Sequence, residues 1–98
     1  MLVKGHVAVV ADTFRGAGVV DVNAFPVGDA SRLVDTSQLE KLNAAFDGEL
    51  MIERMPGEGN RLCITLHANV QTLSELRGVV SRLQSEIERH LDLETTAH

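Results

Sequence analysis

Along this sequence apolar residues recur first with a period of two and then with a period of about 3.6, and the same succession is repeated once. The period-two runs come in pairs, Gly5 to Asp12 with Val19 to Phe25 and Glu49 to Met55 with Arg61 to Ala68. A chain that makes two short strands, a helix, two short strands and a helix has few ways to bury its apolar faces, and the simplest is one antiparallel sheet with both helices on one side.

In the first pair, Thr13-Phe14-Arg15-Gly16-Ala17-Gly18 separates the strands, and its glycines permit the positive φ angles of a reversal. Pairing Asp12 with Val19 puts Val7, Val9 and Ala11 on one face with Val20, Val22 and Ala24, which needs a cover. In the second pair, Pro56-Gly57-Glu58-Gly59-Asn60 is turn chemistry throughout. Pairing Met55 with Arg61 gathers Leu50, Ile52, Leu62, Ile64 and Leu66 on the core face and turns Glu49, Met51, Glu53, Cys63, Thr65 and His67 outward.

The first helix has two competing starts, Asp35 with Gln38 or Ser37 with Glu40, and is expected over about Ser37 to Asp47, closed by Gly48. The second opens on Thr72 and Glu75 and carries Leu73, Leu76, Val80, Leu83, Ile87 and Leu91 at helical spacing. Between the first hairpin and the first helix, Pro26 to Val34 reads as a loop in which Arg32-Leu33-Val34 could add a short strand. Residues 95–98 follow the last periodic position and are expected to fray, which leaves 1–94 as a single domain.

The expected fold is therefore a two-layer α+β sandwich, a four-stranded antiparallel sheet with two helices on one face. With the fourth strand between the second and third, the order is 1-2-4-3 and the first strand lies at an edge. That arrangement is similar to a ferredoxin-like fold whose last strand has moved to the N-terminus, a similarity of architecture that many unrelated functions share.

Composition narrows the function classes. Fourteen acidic residues against nine basic ones give a net charge of -5, which disfavours a nucleic-acid partner because phosphate binding needs clustered Lys and Arg. No apolar run approaches a membrane span, and the N-terminal stretch is interrupted by Asp12 before any cleavage-site pattern, so neither a membrane partner nor a signal peptide is expected. A single cysteine, Cys63, cannot form an internal disulfide and fits a reducing, cytoplasmic location.

Catalytic and cofactor motifs are sparse. Gly16 and Gly18, and Gly57 and Gly59, lie between strands and lack the following helix that a phosphate-cradling loop requires. Cys63 and His67, four apart on one strand, sit roughly 13 Å apart, so they cannot ligate one zinc ion, and no metal or cofactor is expected. Cys63 faces Glu53 rather than a base, and Arg54 falls on the core face near a strand end, where its stem can cover apolar surface while its head reaches water.

One polar group remains. If the second and fourth strands are neighbours, Asp21, Asn23, Thr65 and His67 share the open face, where an Asp beside a His can orient an imidazole and the set can hold a small polar ligand in a pocket enclosed by two sheets or by the sheet and the loop Pro26 to Val34. The same face carries Val10, Val19, Phe25, Met51 and Met55, an apolar set that points to a protein interface, with a homodimer as the first expectation. The principal reading is thus an interaction or regulatory module without inferred catalysis. A small-ligand-binding domain or enzyme on the open face is the alternative.

Overall fold

The computed structural model describes residues 5–55 and 61–97. Five strands form one mixed sheet: β1 (His6–Ala11), β2 (Gly18–Val27), β3 (Met51–Met55), β4 (Arg61–Val70) and β5 (Glu94–Ala97). Two helices, α1 (Thr36–Ala44) and α2 (Leu73–Leu91), and a 3-10 helix, Gly28–Leu33, complete the chain. The sheet order is β3-β4-β2-β1-β5, with β5 parallel to β1 and the other neighbours antiparallel.

Alternation places one face of the sheet in the core. Val7, Val9, Val22, Ala24, Leu62 and Ile64 are fully buried, as are Leu42 of α1 and Leu83 and Ile87 of α2, so the helices cover this face and no other. The second hairpin has the expected register, with Met55 opposite Arg61 and Ile52 opposite Ile64. Its turn, Pro56 to Asn60, lies outside the described residues. The first hairpin is shifted by two residues: Ala11 pairs with Val22, and the Asp12 N–H donates to the Asp21 carbonyl rather than facing Val19. An even shift leaves every side chain on its expected face, which is why the core assignment survives the register error.

Helix starts follow their caps. Asp35 wins over Ser37, because its carboxylate accepts from the Gln38 N–H at 2.9 Å while the Gln38 side chain accepts from the Asp35 N–H at 2.9 Å. The helix ends at Ala44, earlier than expected, and Asp47 and Gly48 take the left-handed conformation that reverses the chain. Thr72 caps α2 through the Glu75 N–H, while the Glu75 carboxylate reaches past it to the Gln71 N–H at 2.7 Å. Leu73, expected in the apolar seam of α2, is exposed, since it precedes the first turn that rests on the sheet.

Two sequence expectations are overturned at the C-terminus. Glu94–Ala97 is a strand rather than a frayed tail, and it covers β1, which is interior rather than an edge; His98 lies outside the described residues. The cause is direction. β4 and β1 run the same way, so the strand that follows α2 returns parallel to both and finds the free side of β1. Asp92, left-handed at φ 53°, makes the turn out of α2, and Leu93, 4% exposed, anchors it in the core. Gly5 admits this packing, because a Cβ there would lie 2.7 Å from Leu93 Cδ2 and 2.8 Å from Ala30 Cβ.

Pro26 to Val34 is neither loop nor strand. Pro26 and Val27 extend β2, and Gly28–Leu33 forms the 3-10 helix. Pro26 is tolerated inside a sheet because Asp21, Asn23 and Phe25 turn their backbone groups toward β1, so its missing N–H faces β4 beyond Ala24, where that pairing has ended. The Leu62 N–H, on the stretch of β4 past that last pair, instead donates to the buried Ser31 hydroxyl at 3.2 Å. Arg54 is exposed, as expected of a head that reaches water, and its guanidinium also donates to the Val34 carbonyl at 2.9 Å and to the Ser31 carbonyl at 3.4 Å, which ties β3 to the end of the 3-10 helix. Ser31→Ala should therefore cost about 1–3 kcal/mol in urea unfolding, since it strands a buried donor; an unchanged midpoint would show that the Leu62 N–H has another acceptor.

Candidate functional site

The face opposite the helices is built by the residues between the core positions. β4 contributes Cys63, Thr65 and His67, β2 contributes Asp21, Asn23 and Phe25, β1 contributes Ala8 and Val10, and β3 contributes Met51 and Glu53. Among the described residues no helix or loop packs over them.

All four residues of the expected polar site meet here. Asp21 lies directly opposite His67 and Asn23 directly opposite Thr65, as the β2–β4 register requires. The Thr65 hydroxyl donates to Asn23 Oδ1 at 2.8 Å, and His67 Nδ1 is hydrogen-bonded to Asp21 Oδ1. The second imidazole nitrogen, Nε2, points across to β3 and lies 3.0 Å from the Met51 sulfur. Cys63 extends the other pair, its sulfur 3.8 Å from the Thr65 hydroxyl. Two short polar chains result, Asp21–His67–Met51 and Asn23–Thr65–Cys63, each crossing adjacent strands.

The Asp21–His67 pair is open to water, with side-chain exposures of 39% and 48%, so solvent screens it and its contribution to stability is that of a surface ion pair, about 0–1 kcal/mol. An Asp on Nδ1 is the arrangement that fixes an imidazole for acid-base work, but Nε2, the nitrogen that would move a proton, faces a thioether that can neither give nor take one. Among the described residues no group of three or more His, Cys, Asp or Glu side chains converges on a metal position.

No protein-family model, no curated protein and no solved structure matches this chain. The chemistry of the face has to be argued from its own residues.

Among the described residues, the segment Pro26 to Val34 does not roof this site. Gly28–Leu33 lies at the core end of the sheet, held by Ser31 and by Ala30 against Gly5, and does not lean over Asp21 and His67. What the structure does gather beside the polar chains is the apolar set. Val19 is 69% exposed and Met51 48% exposed, Val10 and Phe25 are half-buried, and all four belong to the same face; of Met55 the structure describes the backbone position in β3.

Sequence reasoning missed a second surface. Leu73, Leu76, Val80, Ala11 and Ala97 line a shallow groove between α2 and the β1–β5 side of the sheet. Leu73 and Val80 were legible as apolar positions of α2, but the groove also takes in Ala11 of β1 and Ala97 of β5, a strand that local pattern did not mark. The small-residue stripe Ser74, Gly78, Ser81 and Ser85 is exposed along α2.

Proposed function

We propose that this domain is a protein-interaction module that assembles as a homodimer through the open face of its sheet. The observation that supports this reading is the uncovered face itself, which sets Val10, Val19, Phe25 and Met51 around two polar chains. A monomer would leave this set in water. Five strands at about 4.8 Å spacing and some six residues of length present a surface of roughly 24 by 20 Å, so two such faces bury on the order of 1,000 Å² together, the lower bound for a stable dimer.

A second copy can meet this face across a two-fold axis because its central polar groups pair within it, Asp21 with His67 and Asn23 with Thr65, with Glu53 standing beside them on β3. On this reading the order β3-β4-β2-β1 is a ferredoxin-like sheet with its last strand permuted to the front, and β5 blocks the β1 edge so that association proceeds through the face. The lone thiol of Cys63 fits a reducing compartment such as the cytoplasm.

Sedimentation tests the reading. The wild-type chain should be a dimer at about ten micromolar and above, and Val10→Asp, which places a charge on the face, should be monomeric while still folded by circular dichroism. A wild-type monomer at tens of micromolar would overturn the homodimer.

A further inference from the structure

The His67–Met51 contact is unusual in its electron count. With Nδ1 donating to Asp21, the neutral ring presents an unprotonated Nε2, a lone-pair nitrogen, and 3.0 Å away lies a thioether sulfur that carries lone pairs and no hydrogen. A proton on Nε2, donated to the sulfur as a weak acceptor, brings such a pair together, and so would a soft cation.

We propose that His67 Nε2 and Met51 Sδ form a surface site for a soft monovalent cation of the Cu(I) class, with Asp21 as the positioning residue. Imidazole and thioether together select soft, thiophilic ions over Mg(II) or Ca(II), which take oxygen ligands. The carboxylate on Nδ1 is the usual outer partner of a metal-binding histidine: it fixes the tautomer that leaves Nε2 free. Bonds of about 2.0 Å to nitrogen and 2.3 Å to sulfur from one ion would enclose an angle of only about 90° with the donors 3.0 Å apart, so the two donors must spread to take the ion. Met51 is exposed and unbranched, so its torsions can swing the sulfur outward to the wider angle that Cu(I) adopts.

Both ligands come from one chain, on adjacent strands whose register sets Met51 opposite Thr65 and therefore diagonal to His67. The site does not rest on the homodimer. Cys63 is a competing soft donor on the same face, opposite Glu53 and hydrogen-bonded to Thr65, and the test has to remove it.

The experiment titrates Cu(I), kept reduced under inert gas, against a colorimetric Cu(I) chelator in the Cys63→Ser chain. One ion per chain is expected, with affinity lowered tenfold or more by His67→Ala and by Met51→Leu, and about ten- to a hundredfold by Asp21→Asn. Both ligand positions are exposed in the protomer, so circular dichroism should show each variant folded and separate lost binding from lost folding. Absence of binding in Cys63→Ser, or affinity unchanged in His67→Ala, overturns the site. Sedimentation of the same samples reports assembly separately: a monomer that binds Cu(I) keeps this site and removes the interface, and absence of binding both in the dimer and in the Val10→Asp monomer removes this site alone.

Discussion

Ile64→Ala should lower the stability of this domain by about 2–5 kcal/mol, a large share of the roughly 5–15 kcal/mol expected for a small domain. Ile64 is fully buried in the middle of β4, with Ile52 opposite it on β3 and Ala24 opposite it on β2. The neighbours decide where the cost falls in that range. Ala24 has no side-chain length with which to fill the space, and Ile52, stiff at its branched carbon, cannot swing far into it, so most of the cavity should persist. Urea unfolding should show the midpoint fall with little change in slope, and the melting temperature should drop by about 10 °C or more. A loss below about 1 kcal/mol would mean that Ile64 is not packed as described.

Ending the chain after Asp92 should do comparable damage by a different route. The cut removes Leu93, 4% exposed, whose burial alone is expected to be worth about 2–5 kcal/mol, and it strips β1 of its parallel partner from His6 to Val9. β1 then becomes an edge with free backbone groups and β-branched side chains on both faces, the kind of strand that pairs with other copies. Urea unfolding should report the lost stability, and sedimentation should report aggregates that the full chain does not form. A truncated chain with the original midpoint and a single small species would show that β5 contributes nothing to the fold.

The parts of this fold legible in the sequence are those decided by local pattern. Alternation along Arg61 to Leu66 gave the buried and exposed sides of β4, and with the turn chemistry of Pro56 to Asn60 it gave the register of the second hairpin, because a slip by one residue would have exposed the whole core face. The caps Asp35 and Thr72 marked both helix starts, since each carries the side-chain acceptor that a first turn needs. The polar site was legible for the same reason: once β2 and β4 are neighbours, parity alone puts Asp21, Asn23, Thr65 and His67 together.

What only the tertiary structure decided are the contacts between segments with no pattern of their own. Glu94 to Ala97 is four residues without apolar periodicity, and it is a strand because α2 delivers it to the open side of β1, where unpaired backbone groups wait; its own side chains are mostly exposed. Ser31 and Arg54 looked like loop and surface residues, and became partners of the Leu62 N–H and of the Ser31 and Val34 carbonyls once Pro26 had ended the β2–β4 ladder. The diagonal from His67 to Met51 belongs to the same class, since it depends on the rotamers of two exposed side chains that no spacing rule fixes. Hydrophobic periodicity acts through the number of buried faces and is written along the chain, whereas hydrogen bonds between distant segments depend on where the sheet's pairing happens to stop.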